Sequence, residues 1–300
     1  MRIVDAYDTV PPFQVSEPPE PRVPFVFNAP HSGTHYPRAL LAQTRLDRRA
    51  IRSSEDTFVD DIFAPVTTLG APLMRANFPR VFVDLNRDAN ELDPSMFAGP
   101  LLEPANAESP RVVGGLGVIA RVVGDRQEIY SSPLPALEAT NRLERYYHPY
   151  HQHLGALLEE TAERFGAAVL VDCHSMPSGA VKAATEGGPG RADIVLGDRY
   201  GTSCVPHLTE ALARLLRRRG FAVGLNRPYA GGFITERYGT PPRIHAIQIE
   251  INRALYMDEG GYCRNDNFAA LQDELMAVFG ALIQSFAGAL HADAWPMAAE

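Results

Sequence analysis

Little in this sequence could tie the chain together covalently: it has three cysteines in 300 residues, Cys173, Cys204 and Cys263, far apart and without CxxC spacing. An odd, scattered set argues against a disulfide framework and a thiolate zinc site, and it suits a reducing compartment. Lysine is scarcer still, with Lys182 the only one. Arginine therefore supplies nearly all the positive charge, a bias that reads as genome composition and makes any single arginine weak evidence of function. Positive charge is in deficit overall: the formal net charge is -8. Nucleic acid and anionic membrane surfaces would be repelled by that field, so neither is expected as a partner, and an acidic ligand would have to be gripped by local charge. Apolar runs all fall short of the roughly 18 residues that span a bilayer. The opening stretch also lacks the basic-then-apolar order of a signal peptide. The expectation is a soluble, cytoplasmic protein.

Certain motifs are missing as well. No GxSxG elbow is present, and the serine nearest a candidate base, Ser175, simply follows a candidate ligand, so serine hydrolase chemistry is disfavoured. The glycine-containing stretch 226–242 lacks the spacing of a phosphate loop, although Gly231 and Gly232 would let backbone N–H groups approach a ligand closely.

What is present is an alternation of short apolar runs with amphipathic stretches. Six prolines within 11–24 predict an extended arm over residues 1–21. A single α/β domain is expected over 22–300. The strand candidates are 23–29, 71–76, 80–85, 167–173, 192–197, 221–226 and 244–251, with 71–76 and 80–85 close enough to predict an antiparallel hairpin in a mixed sheet. Three- and four-residue apolar spacing predicts helices over 134–165, stopped by Gly166, over 203–219, stopped by Gly220, and over 266–290. The segments 86–132 and 175–191 are long and irregular, as binding loops often are, and are expected to frame the site.

Two histidines follow strand-like runs, His31 in VFNAPHSG and His174 in VLVDCHS. Open α/β sheets bind ligands at the carboxyl ends of their strands, so both imidazoles could reach one crevice. Two neutral imidazoles and one carboxylate form a known hydrolytic zinc set. The acid candidates are Glu55 and Asp56 in SSEDTFVDD, on the predicted opening turn of a helix that Ser53 or Ser54 would cap. Each residue taken alone has a structural explanation too, as a hydrogen-bonded histidine or a helix cap. Glu250 lies in AIQIEIN, an otherwise apolar strand, where a buried carboxylate is costly unless it is paired, for instance with Arg253, or used as a general base. In RVFVDLNRDAN, Asn86 and Arg87, with Arg80, suit the forked hydrogen bonds that hold a carboxylate, although an arginine beside an aspartate often only orders a loop. His148, His151 and His153 on a tyrosine-rich helix read as packing.

Together the motifs NAPHSGTHYP, DTFVDDIF, RVFVDLNRDAN, VDCHSMPS, DIVLGDRYGTSC, NRPYAGGFITERYG and HAIQIEINRALYMDE resemble the N-formylglutamate amidohydrolase family, in the family's order from about residue 23 to 260. The resemblance implies a three-layer α/β/α fold with a central mixed β-sheet, zinc-carboxypeptidase-like (phosphorylase/hydrolase-like). It also implies hydrolysis of a small acidic acyl amino acid, N-formyl-L-glutamate, with a divalent metal, Zn2+ foremost. Carried over residue by residue, it points to His31, His174 and either Asp56 or Glu55 as ligands, Glu250 as base, and Asn86, Arg87, Arg80 and Arg253 for the substrate carboxylates. Zinc carboxypeptidases and aspartoacylases carry the acidic ligand three residues after the first histidine; here that position is Thr34, which leaves Asp56 and Glu55 open. A homo-oligomer is compatible with all of this. Two bonds of roughly 2 Å to one ion require the rings of His31 and His174 to lie within about 8 Å of each other.

Overall fold

A computed structural model describes residues 10–180 and 192–291. Residues 181–191 of the second predicted loop, and residues 1–9 of the predicted arm, lie outside the described residues. Two compact units are distinguished. One comprises the chain up to Gln14 with Pro30–Asp56 and Arg75–Leu154; the other comprises Val15–Ala29, Thr57–Met74 and the chain from Gly155 onward.

The sheet has seven strands: β1 (Phe13–Ser16), β2 (Phe25–Ala29), β3 (Leu73–Ala76), β4 (Ala168–Met176), β5 (Ile194–Gly197), β6 (Val223–Leu225) and β7 (Ile244–Asn252), in the order β1-β3-β2-β4-β7-β5-β6. It is mixed: β2 with β4, β4 with β7 and β6 with β5 are parallel, while β7 runs antiparallel to β5. Residues alternate between the faces of a strand. One face of β2, β4 and β7 therefore carries Phe25, Phe27, Val169, Val171, Cys173, Ile247, Ile249 and Ile251 into an apolar core. Helices α1 (Val59–Phe63), α2 (Pro206–Arg218) and α3 (Phe268–His291) contribute Ile62, Phe63, Leu208, Leu212, Leu275 and Phe279 to the same core. Burial of each such side chain stabilises by roughly 1.5–3 kcal/mol. The other face turns polar toward the strand ends, with Asn28, Asp172, His174, Gln248 and Glu250 all buried. Buried polar groups are costly unless hydrogen-bonded, so that face has to be a network.

The predicted hairpin does not form. Residues 73–76 are a strand, whereas 80–85 fold as buried turns, with Phe82 N–H donating to the Pro79 carbonyl and Asp84 N–H to that of Val118. Val81, Phe82 and Val83 are all buried. A run enclosed on every side is apolar without being a strand, and periodicity alone does not separate the two. The first unit packs around Arg142, whose guanidinium is fully buried against the Phe82 ring, 4.4 Å from its centroid, and donates to the Phe82 carbonyl and the Tyr130 hydroxyl. Arg142 belongs to the predicted helix over 134–165, which appears as Leu137–Arg142 and His148–Phe165 joined by a wider turn at Leu143–Tyr147. Gly166 ends it at φ +84° and Gly220 follows α2 at φ +90°, the left-handed region that favours glycine. Among the described residues no helix is long and apolar enough to cross a membrane.

Candidate active site

Strand register assembles half of the site. Glu250 is directly beside His174 on the parallel ladder, and Gln248 is beside Asp172, which in turn pairs with Asn28. Neighbouring positions on a ladder share a face, so these five side chains project together. Asp172 accepts from Asn28 Nδ2 at 2.8 Å and meets His174 Nε2 at 2.9 Å through its second oxygen. On β7, Gln248 Nε2 donates to Glu250 Oε1 at 2.9 Å, and Gln248 Oε1 accepts the Gly232 N–H at 2.9 Å. Beyond the strand end, Arg253 Nε donates to Ser175 Oγ.

The other half is built from loops. Asp56 N–H donates to the His31 carbonyl at 3.0 Å and Ser32 Oγ donates to the Asp56 carbonyl at 3.1 Å, so the two segments hold each other. His31 Nε2 lies 2.8 Å from Asp84 Oδ1, and His31 Nδ1 lies 3.4 Å from Asp56 Oδ2. Gly33 is needed where this loop passes Phe78, because a Cβ there would fall 2.3 Å from the Phe78 carbonyl oxygen. Asp56 does not sit on the first turn of a helix as predicted, and neither Ser53 nor Ser54 caps one. Phe58 adopts a left-handed conformation at φ 66°, and α1 starts only after it. The two acids are thereby held in turns ahead of the helix, where backbone bonds to the His31 segment fix Asp56.

One ligand atom from each of His31, Asp56 and His174 lies within 4.8 Å of the others, and all three residues are buried. The two rings thus meet the distance requirement set by the sequence. Glu55 has other partners: it accepts a bidentate pair of bonds from Arg52 and one from the Tyr36 hydroxyl. Among the residues expected to hold substrate, Arg80 grips Asp84 Oδ2 through Nε and Nη2 at 3.1 and 2.6 Å, behind His31. Arg87 donates to the carbonyls of Leu116 and Asn86, and the Tyr147 hydroxyl donates to the Arg87 carbonyl. Asn86 is buried, with its N–H on Asp84. The excluded cluster behaves as packing: the His151 ring lies 4.3 Å from that of Tyr147, and His153 lies 4.9 Å from Phe13.

Burial would push the Asp84 carboxyl up, yet Arg80, Arg87 and His31 outweigh it and hold the group well below the usual carboxylate range. An ionised Asp84 can only accept, so Nε2 of His31 is its donor. Burial lowers the Arg87 guanidinium, an effect that Asp84 opposes. The buried thiols are poor nucleophiles: burial raises Cys173 well above its ordinary value and pushes Cys204 up to about 12. Three residues given no role from the sequence thus matter here, namely Asp84, Asp172 and Gln248. For two of them the signal was present as i, i+2 spacing on a strand, Asp172 before His174 and Gln248 before Glu250.

Fold and site together define an α/β protein with a buried histidine–carboxylate group able to hold a metal ion. The family described as N-formylglutamate amidohydrolase matches residues 23–257. The N-formylglutamate deformylase of Pseudomonas aeruginosa is 30% identical over 242 residues, covering 79% of this chain and 84% of that protein. The deformylase of the same name from Pseudomonas putida is 29% identical, covering 79% and 83%. The crystal structure of N-formylglutamate amidohydrolase from Ralstonia eutropha JMP134 superposes with a TM-score of 0.86 at 36% identity, over 92% of this chain and 100% of that one. The gene product Atu2144 of Agrobacterium tumefaciens, 18% identical with a TM-score of 0.64, shares the fold. The chain belongs to the N-formylglutamate amidohydrolase family.

Proposed function

We propose that this chain hydrolyses N-formyl-L-glutamate to formate and L-glutamate, using a divalent metal held by His31, Asp56 and His174. The observation that carries the proposal is the convergence of those three buried side chains in a member of this family. The donor set fits such an ion: two imidazoles and a carboxylate suit zinc, cobalt, manganese or iron, and His31 Nδ1 and Asp56 Oδ2, 3.4 Å apart, are close enough to share one cation. Asp84 and Asp172, each bound to one imidazole through Nε2, act as the outer carboxylates that orient metal-ligating histidines. When bound, the ion would supply a Lewis acid for the formyl carbonyl and lower the pKa of water.

The chain's own groups do the rest. Glu250, on the same sheet face as His174, takes a proton from the attacking water and delivers it to the departing amide nitrogen as the C–N bond breaks. Water's oxygen ends in formate, and the nitrogen leaves as the amine of glutamate. Asn86, Arg87 and Arg253 supply hydrogen bonds to the substrate carboxylates; Arg87 is held rigid by the carbonyls it already binds. Arg80 acts on substrate only indirectly, by holding Asp84.

The test is formate release from N-formyl-L-glutamate beside the N-acetyl and N-succinyl analogues, before and after chelation and after zinc is restored. Preference for the formyl compound, loss with chelator and recovery with metal are expected. Dicarboxylate binding without turnover, indifferent to chelator, would instead identify a non-catalytic binding protein, and preference for another acyl group would reassign the substrate.

A further inference from the structure

We infer that Gln248 is a positioning residue that sets the orientation of Glu250 and takes its own orientation from the backbone of the 226–232 loop. This rests on the proposed role of Glu250 as base. The amide of Gln248 has only one consistent placement. The Gly232 N–H can only donate, so the group 2.9 Å from it must be Oε1, and Nε2 is then turned to Glu250 Oε1, also at 2.9 Å. Gln248 is buried, so neither bond can be exchanged for water without cost. No other side chain satisfies both ends: glutamate would set a second carboxylate against Glu250, asparagine is one methylene short, and an apolar residue strands the Gly232 N–H.

The loop reaches Gln248 because a neighbouring strand carries no side chain there. Gly197 is opposite Gln248 in the antiparallel register of β5 and β7. A Cβ on Gly197 would lie 2.6 Å from the Ala230 carbonyl carbon and 2.7 Å from the Gly231 nitrogen. Gly231 itself adopts φ +120°, which side chains rarely tolerate. The loop is clamped further by Asn226, which accepts from the Asp198 N–H and donates to the Asp198 carboxylate, and by Arg199 N–H donating to the Ala230 carbonyl. Gly197, Gly231, Gly232, Gln248 and Glu250 thus form one line of contacts ending at the carboxylate. Mispositioning a catalytic group by about 1 Å can cost about 100-fold in rate, so a residue that does nothing but aim Glu250 is sufficient to control turnover.

The test is a double-mutant cycle on the metal-loaded full chain. Gln248→Met, which keeps volume but neither bond, is expected to lower kcat about 10- to 100-fold, with KM and bound metal within about twofold of the parent. In a Glu250→Gln background the same change should cost little more, because its effect runs through Glu250. Gly197→Ala, which leaves both side chains in place but pushes the loop away, should give the same split, and it decides the matter if Gln248→Met does not fold. An unchanged kcat, a loss confined to KM or metal content, or a loss that multiplies fully in the Glu250→Gln background overturns the inference. If the parent enzyme, with metal bound, does not cleave N-formyl-L-glutamate, it is the functional proposal that fails. The positioning role is then read from a crystal structure of Gln248→Met, where an unmoved Glu250 carboxylate would refute it.

Discussion

Asp56 and Glu55 are consecutive carboxylates in equally buried positions, yet their partners separate them. Asp56 points an oxygen at His31 Nδ1, whereas Glu55 is neutralised by Arg52 and bonded by Tyr36. Asp56→Asn is therefore expected to remove most of the bound metal and to lower turnover by on the order of 100-fold or more, while Glu55→Gln keeps the metal. Metal content per chain, measured on both purified variants, checks this, and the opposite ranking would make Glu55 the ligand. At this scale the sequence exposed the two histidines, because a polar residue at the end of an apolar run is visible without coordinates, and it exposed Glu250 as an acid in an apolar strand. It could not choose between adjacent acids, since that choice depends on which backbone bonds fix the turn, here Asp56 N–H to the His31 carbonyl. Nor could it show that Arg80 donates two hydrogen bonds to Asp84.

Among the elements, six of the seven strand candidates and all three helix candidates appear, with ends shifted by a few residues. Long periodic segments declare themselves because their apolar faces must meet a core. Residues 80–85 misled because Val81, Phe82 and Val83 are buried in turns, where burial has no period. Close backbone approach was equally hidden. Gly33 in NAPHSG is the position at which the His31 segment crosses Phe78 with no room for a Cβ. Gly33→Ala must move one backbone or the other, as overpacking does, at about 1–3 kcal/mol, and the shift would be passed to His31 two residues away. Urea unfolding should show the lost stability, and metal titration should show weakened binding. A variant with the stability and metal affinity of the parent would mean that the crossing is looser than 2.3 Å implies.

For the molecule as a whole, acid stability is the property that one buried histidine, His245, governs beyond the site. His245 sits on β7 beside Val169, buried, and burial, reinforced by His207, lowers its imidazole to about 4, with a backbone hydrogen bond at Pro242 opposing the shift. An unfolded histidine titrates near 6.5. Between roughly pH 6.5 and 4 the unfolded chain therefore binds a proton that the folded chain refuses, and stability must fall as the pH drops through that window. The contribution is absent above pH 6.5 or so and reaches its limit below about 4, at roughly 3 kcal/mol from the 1.36 kcal/mol carried by each pKa unit. Asp84 also loses stabilisation in acid, but its carboxyl is held well below the usual range, so its loss comes as the pH falls below the ordinary carboxylate pKa and through that lowered value. The two are thus separable. Urea unfolding of the parent at pH 7 and pH 4.5 should show a clear drop in stability, and His245→Leu, which has no proton to gain, should show a drop smaller by a kcal/mol or more (about one pKa unit's worth). If the two chains lose the same amount over that interval, His245 is not what refuses the proton, and the acid sensitivity lies with other groups.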